Sequence, residues 1–234
     1  MSQGSSAQRP PGMGRPECAS TNAGRLEEML EIRIHGRGGQ GAQVGCQILA
    51  NAFFKAGHWA QAFAAYGGER RGAPVTAFLR VADRPIRVRA DIERPHHVIV
   101  LDPSLLADAN VTASAREDGR LFVNAPVTRV LPLDMVRAVG VDTTATAAAC
   151  DARVGSAGLL RVVTVDATAI ATRCGLGPIV STTMLGAFAG ATGLCALEAL
   201  LEAVREGSPA RVEQNVLACR EAYSVCAGLE SAGG

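Results

Sequence analysis

The sequence lacks the cysteine spacing that metal clusters use. Its seven cysteines are scattered over 234 residues, and no two of them stand as Cys-x-x-Cys. Zinc ribbons and ferredoxin-type iron–sulfur clusters need closely spaced thiolates, so neither is predicted on this chain. The odd number and the apolar surroundings of several cysteines predict reduced, buried thiols in a cytoplasmic protein.

Charge excess and membrane signals are also missing. Lys55 is the only lysine, and the formal net charge is +1. Such a chain has no general attraction to nucleic acid or to a membrane surface. No run of about 18 apolar residues predicts a membrane span, and no basic-then-apolar pattern predicts a signal peptide.

Motifs of complete active sites are absent as well. The sequence contains no Gly-x-Ser-x-Gly, no His-Glu-x-x-His and no P-loop lysine motif. A nucleophile and its base are therefore not readable as a pair. With 48% hydrophobic and 4% aromatic residues, the composition is that of a globular protein.

The stretch from Glu31 to Pro74 carries the clearest pattern. Ile32 and Ile34 alternate with charged residues, which predicts a strand buried on one face. A glycine turn follows at residues 35–41, and a helix is predicted over Ala42–Ala56. A glycine turn at a helix start exposes unpaired N–H groups and a partial positive charge, which suit an anion such as phosphate.

The glycines of this turn also match a dinucleotide-binding fingerprint. Gly36, Gly38 and Gly41 have the Gly-x-Gly-x-x-Gly spacing, but that fingerprint expects an acidic residue about 20 positions later to hold a ribose. Residues 59–65 contain no acid, and the next one is Glu69. NAD binding is therefore disfavoured, while anion binding remains open. The alternatives are a self-contained NAD(P)-binding Rossmann reductase and a turn that binds nothing.

The order of the apolar segments predicts an α/β fold. Strands alternating with helices indicate a three-layer, mostly parallel (mixed) sheet with helices on both faces and a Rossmann-like start. The turn at 36–41 and the loops after Asp102 and Asp166, two predicted helix caps, would then share one rim. The other predicted strands are 59–63, 74–81, 86–89 (a hairpin return), 97–101, 121–124 and 160–166. The other predicted helices are 167–173, one capped by Ser181–Thr183 in which Gly186–Ala191 allow close packing, 194–205 and 212–223.

The chain is predicted to hold one folded domain. Residues 1–28 are rich in Ser, Gly, Pro and Arg without periodicity and are interpreted as a disordered tail. Residues 29–230 form the domain. Within it, residues 134–158 are interpreted as a surface insertion, either a short helix or a loop.

Two glycine motifs in this order carry a family resemblance. Residues 35–41, then Gln61-Ala62-Phe63, then residues 68–75 resemble the gamma subunit of the 2-oxoacid:ferredoxin oxidoreductases, the pyruvate:ferredoxin oxidoreductase family. Residues 98–103 and 184–187 are similar to that family too. The resemblance covers roughly Leu30 to Tyr223. The family tends to have Asn at the position of Ser181 and often Pro at that of Gly68.

The resemblance implies a multi-subunit complex that oxidatively decarboxylates a 2-oxoacid. The substrate would be pyruvate or an aromatic or branched-chain relative such as phenylglyoxylate. The product would usually be the acyl-coenzyme A (acyl-CoA), with electrons passing to ferredoxin or a similar acceptor in anaerobic metabolism. Thiamine diphosphate, Mg²⁺ and iron–sulfur clusters would reside on alpha, beta and ferredoxin-like delta subunits, because the Gly-Asp-Gly start of the thiamine motif is absent here.

Two groups of residues are then predicted to form the site of this subunit. The first is the cofactor-binding turn, which would hold a phosphate or carboxylate with Arg37 adding charge: Gly36, Arg37, Gly38, Gly39, Gln40 and Gly41. The second is a polar edge for substrate, CoA or the neighbouring subunit: Tyr66, Glu69, Arg70 and Arg71. Pairing of Glu69 with Arg70 within the loop, and a ligand-free structural subunit, are the alternatives.

Overall fold

The computed structural model describes residues 26, 28–66, 72–108, 111, 115–116, 119–126, 149–154 and 160–227. Its strands are β1 (Leu30–Arg37), β2 (Trp59–Tyr66), β3 (Pro74–Ala82), β4 (His97–Val100), β5 (Arg120–Asn124), β6 (Ala149–Val154) and β7 (Leu160–Val165). Its α-helices are α1 (Ala42–Lys55), α2 (Ala167–Arg173), α3 (Ser181–Thr192), α4 (Leu197–Gly207) and α5 (Val212–Cys226), and Pro103–Ala107 forms a 3₁₀ helix.

The strands form one mixed sheet in the order β2-β3-β1-β4-β5-β7-β6. The four strands β1, β4, β5 and β7 run parallel, and β2, β3 and β6 pair antiparallel. The predicted α/β class with a mixed sheet is confirmed. Because the carboxyl ends of parallel strands meet at one edge, the segments that follow β1, β4, β5 and β7 gather there.

Both faces of the sheet are covered. On one face, Ile32 and Ile34 pack in the main core with the α-helices. On the other, Val98 and Val100 of β4 pack with Leu105 of the 3₁₀ helix. The prediction that β1 is buried on one face only is therefore wrong.

The second face of β1 buries two basic residues. Arg33 and His35 are each 7% exposed. Burial, with a smaller contribution from the charge of Arg33, lowers the pKa of His35 to about 4. A central parallel strand is normally buried on both sides, and that position outweighs the alternation of polar residues in the sequence.

The predicted return strand at residues 86–89 is wrong. These residues lie in an irregular segment, because β3 is already paired on both sides, with β1 and β2. Arg80 shapes the segment instead. Its guanidinium donates to the carbonyl oxygens of Ala90 (2.7 Å) and Asp91 (3.3 Å) and to Glu31 Oε1 (2.9 Å).

Close packing of two helices organises the main core. A Cβ atom on Gly186 would overlap the carbonyl oxygen of Cys219, and one on Gly190 would overlap that of Tyr223. The predicted close backbone approach along the Gly186–Ala191 stretch is confirmed, and the partner helix is α5.

Three boundaries differ from the sequence prediction. Ser181 is the first residue of α3, and the N-cap is Val180, so the predicted Ser181–Thr183 cap is wrong. Helix α4 begins at Leu197 rather than at residue 194, because Gly193 ends α3 in a left-handed conformation (φ 63°) and Ala196 is extended. Within the predicted insertion, Ala149–Val154 forms β6, while residues 134–148 and 155–158 lie outside the described residues. Of the predicted tail at 1–28, only Leu26 and Glu28 are described, and Glu28 Oε2 accepts from Arg116 Nη1 at 3.2 Å.

Candidate functional site

The glycine turn joins β1 to α1 at the carboxyl edge of the sheet. Gly39 (φ 97°) and Gly41 (φ 82°) have left-handed backbone angles that favour glycine. A Cβ atom on Gly41 would lie 2.8 Å from Ser181 Oγ, and one on Gly36 would lie 3.1 Å from Leu101 Cδ1. The turn therefore needs glycine for conformation and for close approach.

Helix α1 starts without a side-chain cap. Its N-cap is Gly41, and no side-chain hydrogen bond caps it. The side chain of Gln40 folds back instead, and its Oε1 accepts from the N–H of Arg37 at 2.7 Å. The first-turn N–H groups of α1 thus retain the capacity to bind an anion.

Arg37 connects the turn to two other segments. Its Nε donates to Asp102 Oδ2 at 2.9 Å, its Nη2 to Ser104 Oγ at 2.8 Å and its Nη1 to the carbonyl oxygen of Gly72 at 3.1 Å. Gln40 Nε2 lies 3.4 Å from the same Asp102 oxygen. The turn, the start of the 3₁₀ helix and the chain that enters β3 are therefore held together.

Asp102 caps the 3₁₀ helix, as predicted. Its Oδ1 accepts from the N–H of Ser104 at 3.0 Å and from Ser104 Oγ at 2.6 Å. Partial burial acts to raise the pKa of Asp102, but the hydrogen bonds from Ser104 and the charge of Arg37 outweigh it and bring the pKa below its usual value. Asp102 is therefore ionised and paired with Arg37 at neutral pH.

Asn124 connects the next two strand ends. It is buried, its Nδ2 donates to the carbonyl oxygen of Leu101 at 2.9 Å, and its Oδ1 accepts from the N–H of Thr168 at 3.2 Å. Asp166 Oδ1 accepts from Ala169 N at 2.8 Å, which confirms the predicted cap of α2. The predicted rim is confirmed. Asn124 is a rim residue that sequence patterns did not indicate, because its partners, Leu101 after β4 and Thr168 in α2, are distant in sequence.

A cleft of about 570 Å³ opens beside the turn. The first turns of α1 and α3 and the segment before α5 face it, and the N-caps of these helices, Gly41, Val180 and Arg211, make no side-chain cap hydrogen bond. Each uncapped helix start carries a partial positive charge from its unpaired N–H groups. The residues that line it are Arg37, Gly39, Gly41, Ala42, Gln43, Val44, Ile48, Val75, Leu176, Pro178, Ile179, Ser181, Thr182, Ser208, Pro209, Ala210, Arg211 and Asn215.

The far wall of the cleft is held by Asn215 and Arg211. Asn215 Oδ1 accepts from Thr182 Oγ1 at 2.7 Å, and its Nδ2 donates to the carbonyl oxygens of Ala210 and Arg211 at 3.0 Å each. Arg211 has a left-handed backbone (φ 51°) and donates from Nη1 to the Gly175 oxygen at 2.8 Å. Sequence patterns gave no indication of this wall, since Asn215 looks like an ordinary helix residue.

The predicted site residues are only partly within the described structure. Gly36 to Gly41 lie together in the turn, and Gly39 and Gly41 line the cleft. The backbone of Tyr66 ends β2 at the same edge, opposite Val75. Glu69, Arg70 and Arg71 lie outside the described residues, so their role stays a prediction.

The described part of the chain offers no cluster of three or more His, Cys, Asp or Glu side chains for a metal ion. Burial raises the pKa of the thiols of Cys46, Cys195, Cys219 and Cys226 to about 12 each. Among the same residues, no helix has the length and apolar character needed to cross a membrane.

Sequence comparisons agree on one family. The family model for pyruvate ferredoxin/flavodoxin oxidoreductase matches residues 31–225. The pyruvate/ketoisovalerate oxidoreductases common subunit gamma of Thermococcus kodakarensis is 44% identical over 197 residues, which cover 84% of this chain and 96% of that protein. The pyruvate synthase subunit PorC of Methanothermobacter marburgensis is 40% identical over 196 residues, which cover 83% and 96%.

Solved structures share the fold. The pyruvate oxidoreductase subunit PORC of Thermotoga maritima has a TM-score of 0.65 and 32% identity, covering 85% of this chain and 97% of that one. A 2-oxoglutarate:ferredoxin oxidoreductase of Magnetococcus marinus, solved with 2-oxoglutarate, CoA and succinyl-CoA, has a TM-score of 0.64 and 14% identity. The match covers 86% of this chain but 31% of that longer chain, and at this identity it shows the fold alone.

Proposed function

This chain belongs to the pyruvate ferredoxin/flavodoxin oxidoreductase family as a gamma subunit, and we propose that its complex converts a 2-oxoacid and CoA to an acyl-CoA and CO₂. For pyruvate, the C–C bond to the carboxylate breaks, a thioester bond forms, and two electrons and one proton leave. The two electrons pass to ferredoxin or a similar acceptor. Alpha, beta and ferredoxin-like delta subunits supply thiamine diphosphate with Mg²⁺ and the iron–sulfur clusters.

In this proposal the gamma subunit holds the anionic part of CoA. The observation that carries it is the meeting of three uncapped helix starts, those of α1, α3 and α5, on one cleft next to the glycine turn. Phosphate groups are the natural ligands of such helix starts. The apolar side chains of Val44, Ile48 and Ile179 line the same cleft and offer contact to the uncharged part of the molecule.

The topology favours CoA over a nicotinamide dinucleotide. In a Rossmann fold the strand after the first helix lies next to β1 and brings a ribose-binding acid to the turn. Here β3 lies between β1 and β2, and β2 carries no acid. The ribose partner that an NAD(P) reductase needs is therefore missing from this part of the chain.

The loop of the second glycine motif, residues 68–75, completes the proposed site. Gly72 is bound to Arg37, and Ala73 accepts from the N–H of Gly38 at 2.9 Å, so the chain leaving this loop lies against the turn. We assign Tyr66, Glu69, Arg70 and Arg71 to the edge that faces CoA, substrate or the neighbouring subunit. An arginine there has the geometry to bind a phosphate or carboxylate with two hydrogen bonds.

A charge placed on the cleft wall tests the proposal. Ala210 is exposed and lines the cleft, so Ala210→Asp adds a negative charge with little change in packing. In the assembled complex we expect the KM for CoA to rise about tenfold, which corresponds to roughly 1.4 kcal/mol, while the KM for the 2-oxoacid stays the same. Ala90→Asp is the matched control, because Ala90 is exposed at the opposite edge of the sheet, where its oxygen accepts from Arg80.

The same measurement separates the alternatives. An unchanged KM for CoA in the Ala210→Asp complex supports a ligand-free structural subunit and contradicts CoA binding in this cleft. Binding of NADH or NADPH by the purified chain alone, with loss of that binding in Ala210→Asp, supports the Rossmann reductase. The control variant must match the wild type in both assays.

A further inference from the structure

Arg37 is the one cation of the glycine turn, but its guanidinium is already engaged within the protein. Its three nitrogens donate to Asp102 Oδ2 (2.9 Å), Ser104 Oγ (2.8 Å) and the carbonyl oxygen of Gly72 (3.1 Å). These acceptors belong to different parts of the chain, the segment after β4 and the segment before β3. A guanidinium held in this way is poorly placed to bind a phosphate as well.

The carboxylate that holds Arg37 is itself fixed. Asp102 Oδ1 accepts two hydrogen bonds from Ser104, while Oδ2 receives Arg37 Nε and faces Gln40 Nε2 at 3.4 Å. The charge of Arg37 is therefore neutralised by a carboxylate that cannot turn away without losing the cap of the 3₁₀ helix. The pair is partly exposed, with side-chain exposures of 37% for Arg37 and 20% for Asp102, so its contribution to overall stability is small.

The third hydrogen bond of Arg37 goes to Gly72, in the segment before β3. Among the hydrogen bonds described above, it is the one that a side chain makes to this segment. Gly72 has a left-handed backbone (φ 83°), and a Cβ atom there would have no neighbour within 4 Å among the described residues. A side chain at Gly72 would therefore have free space among the described residues, while two residues later Pro74 is paired with Arg37 in the sheet. The bond from Arg37 Nη1 and the adjacent bond from Gly38 N to Ala73 O (2.9 Å) hold the chain just before that pairing begins.

We propose that Arg37 is a positioning residue. It holds Gly72 and Ala73, the residues just before β3, against the glycine turn, and it does not bind the ligand through its charge. This inference rests on the proposed binding of CoA in the adjacent cleft. Val75, two residues into β3, lines that cleft. Without the hydrogen bonds of Arg37, the residues just before β3 can move. Part of the binding free energy of CoA is then used to order them, so the affinity falls.

Two substitutions separate positioning from direct charge. Arg37→Lys keeps the charge but cannot bridge three acceptors from one planar group. If Arg37 positions the segment, Lys and Ala both raise the KM for CoA by about fivefold to tenfold. If the charge alone matters, Lys retains the wild-type KM and only Ala raises it, which would overturn the inference.

The variant Asp102→Asn should change the KM for CoA in opposite directions, depending on whether Arg37 positions the segment or binds CoA directly. Asn keeps an oxygen to cap Ser104 but removes the charge that holds Arg37. A positioning role predicts a higher KM for CoA in this variant. A direct role predicts a lower one, because the arginine is released from a competing carboxylate, and that result would also overturn the inference.

Hydrogen exchange provides a readout that does not depend on CoA. In the assembled complex without CoA, the backbone amides of Gly72, Ala73 and Val75 should exchange at least about fivefold faster in Arg37→Lys and Arg37→Ala than in the wild type. Arg205→Lys and Arg205→Ala, at the exposed end of α4, are the matched controls and should leave both exchange and KM unchanged. Unchanged exchange at these three amides in both Arg37 variants overturns the positioning role. Faster exchange together with an unchanged KM for CoA in Ala210→Asp shows that Arg37 does hold Gly72 in place and that CoA does not bind in the cleft.

Discussion

Gly186 of α3 lies directly against the carbonyl oxygen of Cys219 in α5, leaving no room for a side chain. Gly186→Ala must push the two helices apart, although alanine is the better helix former. We expect a loss of roughly 1–3 kcal/mol in the free energy of unfolding. Urea unfolding of the purified chain measures it, and Ser224→Ala on the exposed side of α5 should stay within about 0.5 kcal/mol of the wild type. A stabilised Gly186→Ala variant would show that the helices are not in contact there.

Alanine substitutions at two glycines of the turn, Gly39 and Gly41, should differ in their effects. Both Gly39 and Gly41 have positive φ, so alanine is strained at either position by about 1–2 kcal/mol. At Gly41 the new Cβ also lies 2.8 Å from Ser181 Oγ, whereas at Gly39 it has free space within 4 Å. We therefore expect Gly41→Ala to raise the KM for CoA more than Gly39→Ala in the assembled complex. The reverse order in steady-state kinetics would contradict the contact between the turn and α3.

His97 predicts a specific dependence of stability on pH. It is half-buried against the rings of Phe122 and Phe188, and desolvation at this position, with smaller effects from His96 and Arg120, lowers its pKa to about 3. Between that value and the unfolded pKa of about 6.5, the unfolded chain binds a proton that the folded chain does not. The contribution of neutral His97 to the free energy of unfolding is therefore present above pH 6.5 and is lost as the pH decreases toward 3.

The variant His97→Phe removes this titration while keeping an aromatic ring. Its free energy of unfolding should fall less steeply than that of the wild type between pH 6.5 and 4.5, by close to one proton in the linkage slope. His35, with a pKa of about 4, contributes a second proton that remains in the variant. Equal slopes in urea unfolding at several pH values would show that the fold does not hold His97 in its neutral form.

The buried cysteines should not react with thiol reagents while the chain is folded. Cys46, Cys174, Cys195, Cys219 and Cys226 are all buried free thiols, and thiolates are the reactive form. With Cys18 and Cys150 replaced by Ala, Ellman's reagent at pH 8 should give almost no reaction until urea is added, and then five equivalents. Rapid reaction of the native double variant would contradict the packing of α3 against α5.

Local signals explain what the sequence could predict. The strand, turn and helix from Leu30 to Lys55 follow from contiguous residues, and so do the caps at Asp102 and Asp166. Pairing in the sheet is not local. Residues 86–89 alternate like a strand, but β1 and β2 already occupy both edges of β3.

The site was harder to predict than the fold for the same reason. The partners of Arg37 lie 35 and 65 residues away at Gly72 and Asp102, so its engagement within the protein could not be read from the turn. The far wall of the cleft depends on Asn215 meeting Thr182 across 33 residues. Only the three-dimensional arrangement shows that three helix starts share one cleft.

The most direct test of CoA binding is the structure of the assembled complex with CoA bound. We predict phosphate oxygens at about 3 Å from backbone N–H groups of Gly39 to Ala42, with the uncharged arm along Val44 and Ile179. CoA bound elsewhere, with a partner subunit filling this cleft, would contradict this prediction.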